Sequence, residues 1–343
     1  MKRNLCFLTQ RLLQTNYAST LPFIRLLSTQ EAIERRHHLF TLEKKRQLEN
    51  VGRIEKIEVQ YKGVPNECTL VMNKDISTPY DCARHLSEWH MESSALALLD
   101  GQVPWDMHRP LTDNCTLELQ NFSSVSPQQV NKAFWRSCSL ALGACAAAAF
   151  REHVPVLLHS FPGPDIRSGS FTYDVALPSL PDWRPTELEL RALSAEFVKL
   201  ARRGSLFERL EVGRELALEM FVENEYKTQQ IPSIARDSGK VTLYRIDKHV
   251  DISRGPMISN TSQIGRVTIA SVHKLTGSSP DSAEAKQLYR FQGVALPAGV
   301  HINHFAYSIL EQRARKLNPV RSPFNSLEVD ESNAAPESVS AKA

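Results

Sequence analysis

The sequence predicts an α+β chain, and three observations carry that reading. Residues 53–122 run strand, strand, helix, strand, strand; a small-residue helix with an apolar stripe follows from residue 126; and both strand and helix patterns continue to residue 317. At 343 residues, with roughly 100–200 residues per domain, two domains plus tails are expected. Hydrophobic and charged contents of 42% and 23% are those of a globular protein, and no apolar run approaches the roughly 20 residues that span a bilayer. No membrane span is expected.

The first 28 residues differ from the rest. They carry Lys2, Arg3, Arg11 and Arg25 but no acid, with Leu, Ser and Thr between, and the first acid is Glu31. Recurring bases without a compact apolar region are the composition of a mitochondrial transit peptide, and Arg25-Leu26-Leu27-Ser28 has the form of a matrix-processing site. Taking those four bases from 41 leaves 37 against 38 acids, a net charge of −1. The mature chain is therefore not globally basic, so nucleic-acid contact would need local patches.

Residues 29–52 read as a basic polar helical extension, with clusters at Arg35-Arg36 and Lys44-Lys45-Arg46 and few apolar anchors. Such a helix buries little by itself and either stays loose or packs on a partner. In residues 53–122, "KIEVQY" alternates Ile57, Val59 and Tyr61 on one face, and "CTLVMN" supplies a second strand across a turn. Thr78 and Pro79 open a helix with Ala83, Leu86 and His90 on one stripe. "SALALLDGQ" and "CTLELQNF" are two further strands, and this order is that of a β-grasp fold.

From 126 to 317 a second α+β domain is expected. Ser126 and Pro127 begin a helix whose face is Val130, Phe134, Cys138, Ala141 and Cys145. Thr186 and Glu189 form a capping box for a second helix with Leu190, Leu193, Phe197 and Leu200 inward and Gly204 at its end. "VTLYRIDKHVDISRGP" and "RVTIASVHKL" read as strands. Residues 318–343, rich in Ser, Pro, Ala and acids, read as a disordered tail.

Chemistry-bearing patterns are sparse. The six cysteines, at 6, 68, 82, 115, 138 and 145, show no C-x-x-C and suit reduced thiols. The histidines contain no H-E-x-x-H, and His301 and His304 have no third ligand beside them. No metal, cofactor or phosphate-loop motif is expected.

Residues 53–122 resemble the TGS domain, the ubiquitin-like module shared by threonyl-tRNA synthetase and several GTPases, on "STPYDCARHLSEW" and on Trp105, Asp106, Pro110 and Leu111 of "WDMHRPL". The second domain resembles the editing (second additional) domain of threonyl-tRNA synthetase, on "RSCSLALG", "GSFTYDVAL", "DISRGPMI" and "LYRFQGVALP". That resemblance implies a pocket built from H-S-x-x-H-x-x-G and C-x-G-P-H. Here the two histidine positions of the first motif are Arg136 and Leu140, and the cysteine and histidine of the second are Ser253 and Met257. Arginine stays protonated, leucine and methionine do not titrate, and a lone serine has no base, so the residues implied to orient and deprotonate a water are gone. A class II aminoacylation core, of some 300 further residues, is not expected either.

The stretches "MNKDISTPYDCARHLSEW", "QVPWDMHRPL", "VNKAFWRSC" and "RFQGVALP" together resemble the synthetase-like family of mitochondrial large-subunit ribosomal proteins. The resemblance implies a non-catalytic constituent of the mitochondrial ribosome in the matrix, with ribosomal RNA and neighbouring ribosomal proteins as partners and no small-molecule substrate. Candidate RNA contacts are Arg35, Arg36, Lys44, Lys45 and Arg46, with Arg202 and Arg203 as a second basic pair. The competing readings are a free-standing trans-editing deacylase and a tRNA-binding regulatory protein of the matrix.

Overall fold

The computed structural model describes residues 29–124, 127–275 and 287–321. The expected transit peptide at 1–28, Ser126 and residues 322–343 of the expected tail lie outside the described residues, whereas the first residues of that tail, 318–321, are described and ordered, with Asn318 buried and bonded to Ser168 and Ser170 because its amide finds partners there. Helix α1 (Thr29–Glu49) comes first, and its buried residues are Ala32, Arg36 and Phe40, four apart and therefore on one face. A five-stranded sheet follows: β1 (Lys56–Tyr61), β2 (Cys68–Asn73), β3 (Leu96–Leu99), β4 (Val103–Trp105) and β5 (Cys115–Gln120). Its strand order is β2-β1-β5-β3-β4, with β1 and β5 parallel and the other neighbours antiparallel. The alternation of β1 puts Ile57, Val59 and Tyr61 inward, against Ala83, Leu99, Leu111 and Leu117.

The helical stretch 79–93 is broken in two, α2 (Pro79–Leu86) and α3 (Glu88–Ser93). Thr78 and Asp81 close a capping box at the start of α2. Ser87, with φ −171° and ψ 162°, ends α2, and its hydroxyl accepts the His90 amide to begin α3, the competition with helix that serine favours. His90 thereby leaves the expected stripe, and its Nε2 lies 3.0 Å from the Tyr61 hydroxyl and 2.9 Å from the Val64 carbonyl. Strand β4 is an addition to the sequence reading. Asp100 and Gly101, at φ 51° and 69°, make the tight turn that folds it back on β3.

The remaining chain forms α4 (Gln128–Ala148), β6 (Leu157–Ser160), β7 (Phe171–Ala176), α5 (Glu187–Arg202), β8 (Glu208–Gly213), α6 (Arg214–Met220), α7 (Glu225–Ile234), β9 (Lys240–Ile246), β10 (His249–Ile252), β11 (Ile264–Leu275), β12 (Leu288–Pro297) and α8 (His304–Arg315). One sheet is β11-β12-β7-β6 and the other β10-β9-β8, both antiparallel throughout. The stretch 241–256 forms β9 and β10 of a hairpin, with Asp247 at φ 52° in its turn.

Helix α4 is the hub of the larger core. Its predicted stripe is buried, but so are Ser137, Ser139, Leu140, Leu142 and Gly143 on other sides, because alanines and glycine let neighbouring elements close round it. It begins at Gln128 with Pro127 in the cap position and no side-chain cap. Gly143 admits the Tyr173 ring, which would lie 2.6 Å from a β-carbon there. Helix α5 starts at the expected Thr186–Glu189 capping box, and Gly204, at φ 67°, turns the chain just beyond it. Helix α8 covers the opposite face of the four-stranded sheet, with Tyr307 and Ala314 against Ala270 and Val294. Helix α1 lays Phe40 on the three-stranded sheet among Leu210, Val212, Leu243 and Val250.

Candidate functional site

Arg136 and Leu140 lie where α4 passes the loop after β10 that carries Met257, and Ser253 opens that loop. Arg136 and Leu140 are one helical turn apart, and Met257 and Leu140 are fully buried, with Ser253 nearly so. The Ser137 hydroxyl donates to the Ala133 carbonyl at 2.8 Å, lies 3.5 Å from the Met257 sulfur and accepts the Ile258 amide at 3.0 Å. Arg136 donates to the Pro256 carbonyl at 3.0 Å. Burial lowers the Arg136 pKa, against the opposing pull of Tyr244 and Asp106. The two segments thus lie against each other, with side chains that pack and tie the backbone together.

Asp106 of the "WDMHRPL" loop locks the same place from the first sheet. It accepts the Met257 amide at 2.8 Å and the Tyr244 hydroxyl at 2.9 Å. Burial raises its pKa, only partly offset by the hydrogen bonds from Met257 and Tyr244 and by Arg209 and Arg109. Gly255 has φ 67° and lies against the Tyr244 hydroxyl, which would be 1.8 Å from any β-carbon there. Glycine is required by both the backbone and the contact. His108 adds a contact to the Ser259 hydroxyl at 3.1 Å.

Beside this loop is a buried polar cluster that the sequence reading missed. Lys227 Nζ is 2.6 Å from Asp251 and 3.2 Å from the Tyr173 hydroxyl, which itself donates to Asp251. Burial would raise the Asp251 pKa, but Lys227, His249 and the hydrogen bonds from Lys227 and Tyr173 outweigh it and hold the carboxyl below its usual range. His249 is packed alongside with neither ring nitrogen hydrogen-bonded, and burial pushes its pKa down to about 4. Asp251 stands two residues before Ser253 in a quoted motif and was findable from it; Lys227, in "EYKTQQ", carries no local signal. An open crevice of ≈ 470 Å³ lies elsewhere, between the end of α1 and the first sheet, beside Gln47, Arg53, Glu55 and Lys74.

The cations expected to meet RNA are largely engaged within the chain. Arg35 pairs with Glu219 at 3.4 Å, Arg36 with Glu223 at 3.2 Å and Lys44 with Glu208 at 2.5 Å. Lys45 pairs with Glu49 at 3.7 Å, Arg46 with Glu43 at 2.7 Å and Arg203 with Asp247 at 2.9 Å. Arg202 is exposed and forms no ion pair among the described residues. The structure therefore uses Arg35, Arg36 and Lys44 to fasten α1 onto β8 and the α6 region. Arg36 is itself buried, 5.4 Å from the Phe221 ring, and Glu208 is held below its usual pKa by Lys44 and Arg245 in spite of burial.

Among the described residues, no group of three or more His, Cys, Asp or Glu is placed to hold a metal ion, and no helix is long and apolar enough to cross a membrane. Cys82, Cys138 and Cys145 are buried free thiols.

No protein-family model matches the chain. It is 52% identical over 293 residues to a Drosophila melanogaster protein named large ribosomal subunit protein mL39, a match covering 85% of this chain and 86% of that protein. It is 31% identical over 227 residues to a probable cytoplasmic threonine–tRNA ligase 1 of Dictyostelium discoideum, covering 65% of this chain and 29% of the ligase. Human cytoplasmic threonine–tRNA ligase 1 is 30% identical over 222 residues, 64% of this chain and 28% of the ligase. The chain thus spans less than a third of each of those ligases, and nearly all of the ribosomal relative.

Proposed function

Because the chain belongs to the family of the large ribosomal subunit protein mL39, we propose that it is a structural constituent of the mitochondrial large ribosomal subunit and catalyses nothing there. The observation that carries this reading is the match over 85% of this chain and 86% of the relative, joined to a motif whose four reactive positions hold Arg136, Leu140, Ser253 and Met257. The partial likeness to threonine–tRNA ligases fits an origin in their editing region, with hydrolysis abandoned and the fold kept as an assembly surface. Arg136 and Met257 serve that fold, one by a hydrogen bond to a carbonyl and the other by burial.

Residues 53–122 are a TGS-type β-grasp module on this reading, supported by the β2-β1-β5-β3-β4 order with its parallel central pair. Residues 126–317 are the editing-like domain, 29–52 the helical extension, and 1–28 the transit peptide. The partners are ribosomal RNA and neighbouring ribosomal proteins, and the chain acts without a cofactor.

Sedimentation of mitochondrial lysate tests the reading. The protein should migrate with large-subunit RNA, and stay with it after magnesium chelation separates the subunits; residence in light fractions alone would refute it. The trans-editing alternative is favoured by the ligase matches alone. Purified chain incubated with seryl-tRNA should release no serine above buffer, and measurable turnover would reinstate that alternative.

A further inference from the structure

With the basic clusters of α1 occupied by internal acids, unpaired positive charge gathers elsewhere. Arg167, Arg313, Arg315, Lys316 and Arg321 are all exposed, and none forms an ion pair among the described residues. They converge around the last turn of α8. Arg313 donates to the Arg167 carbonyl and lies over Gly169, where a β-carbon would stand 2.5 Å from its Nε. Asn318 donates to the Ser168 hydroxyl at 2.9 Å and to the Ser170 carbonyl at 2.8 Å, holding the segment after α8 against the turn that bears Arg167. The buried Arg290 donates to the Asn318 and Val320 carbonyls at 2.6 and 2.8 Å, which fixes the backbone just before Arg321.

The helix C-terminus alone does not account for so many bases. A terminal dipole attracts one or two cations, but here the last carbonyls already have donors: Gln292 Nε2 reaches those of Ala314 and Lys316 at 2.5 and 2.6 Å, and His273 Nε2 is 3.0 Å from that of Arg315. The nearby acids keep their charge, but they bond to neutral donors and form no ion pair with these cations among the described residues. Asp165 accepts the Arg167 amide at 2.9 Å, and Glu311 accepts the Thr268 hydroxyl at 2.8 Å. Arg313 gives its hydrogen bond to a neutral carbonyl and has no ion-pair partner among the described residues.

The same outward face of α8 continues through two apolar residues. Phe305 is 74% exposed and Ile309 50%, and together with Arg313 they recur at intervals of four along one stripe. Exposed aromatic carbon in line with unpaired, preset cations is the pairing used to bind unstacked RNA: cations take phosphates and the ring takes a base.

We propose that the outer face of α8, with Arg167 and Arg321 beside its end, docks a single-stranded or looped segment of RNA, phosphates on the cations and a base on Phe305. This rests on the ribosomal reading above. RNA is favoured over an acidic protein because the cluster combines excess charge with an isolated exposed ring, and RNA is the dominant polyanion of the particle.

Two measurements decide it. Large subunits purified by sedimentation are irradiated in the ultraviolet, digested, and searched by mass spectrometry for peptides carrying a nucleotide; adducts within residues 301–321 are expected. Subunits that contain the protein but show no adduct there, or show only protein-to-protein cross-links from Lys316, overturn the RNA surface and leave the ribosomal reading standing. Absence of the protein from the subunits overturns both. In parallel, the full chain and an Arg167→Gln, Arg313→Gln, Lys316→Gln, Arg321→Gln variant are titrated with a labelled uridine 20-mer at several salt concentrations. At roughly 0.7 per single-strand phosphate contact, the slope of log K on log salt should fall by about 3 in the variant. An unchanged slope with an intact fold by circular dichroism refutes the proposal.

Discussion

His249 makes the fold sensitive to acid in a calculable window. Its ring is buried without a hydrogen-bond partner, near Asp251, which favours its charge, and near Arg36 and Lys227, which oppose it. Burial dominates and places the folded pKa at about 4, against about 6.5 for an exposed histidine. A folded value below the unfolded one means that the unfolded chain takes the proton first. Stability from this residue is therefore complete above pH 6.5 and is lost as pH falls toward 4. At about 1.36 kcal/mol per unit the full effect is roughly 3 kcal/mol, of which about 2 is gone by pH 5. The assay is urea unfolding followed by tryptophan fluorescence at pH 7 and pH 5, for the natural chain and for His249→Leu, which keeps an apolar group of similar size in place. The natural chain should lose about 2 kcal/mol more than the variant between the two pH values. A difference below about 0.5 kcal/mol would refute the assignment of a neutral, desolvated imidazole. Asp251 acts lower on the scale, since its depressed pKa stabilises above the ordinary carboxylate range and fails as pH falls through its folded value.

Gly143→Ala sets two effects against each other: alanine favours helix by about 1 kcal/mol, but its β-carbon would lie 2.6 Å from the buried Tyr173 ring. Overpacking of about 1–3 kcal/mol should win, and thermal unfolding should show a lower midpoint than the natural chain. Lys227→Met leaves the Asp251 carboxylate in a dry site and should cost about 3–5 kcal/mol in urea unfolding. Adding Asp251→Asn should recover much of that loss, and a double variant as unstable as the single one would show that the charge is not the cause. Thr186→Ala removes the capping hydroxyl of α5 and should cost about 1 kcal/mol, read by the same titration.

Local chemistry was legible in the sequence where a residue acts on its neighbours. The Thr78 cap, the Thr186 capping box, the alternation of Ile57, Val59 and Tyr61, and the helical face from Val130 to Cys145 were all readable at short range. The break at Ser87 was not, because the competition between its hydroxyl and the helix is settled by His90 finding Tyr61 and Val64, residues distant in sequence. Arg136, Leu140, Ser253 and Met257 could be singled out from their local sequence; that Asp106 ties the backbone beside them could not, since its bonds to Met257 and Tyr244 span 151 and 138 positions. The basic clusters were the least informative. A run such as Lys44-Lys45-Arg46 looks the same whether it faces phosphate or Glu208, and acids from β8 and the α6 region decide the matter for Arg35, Arg36 and Lys44.

Helix α1 has a consequence for the order in which the chain becomes stable. Its fastenings reach far forward: Arg35 to Glu219 across 184 positions, Arg36 to the Val250 carbonyl across 214, and Lys248 back to Glu34 across 214. During synthesis this helix exists long before the surface it will cover, and loop closure over such lengths comes late. Its scarcity of apolar residues, which makes it a weak helix to recognise, is what lets it wait in water without sticking to anything. Placing Leu at several of its outward positions would leave the finished packing untouched and expose the unfinished chain to aggregation while its seat is still being made.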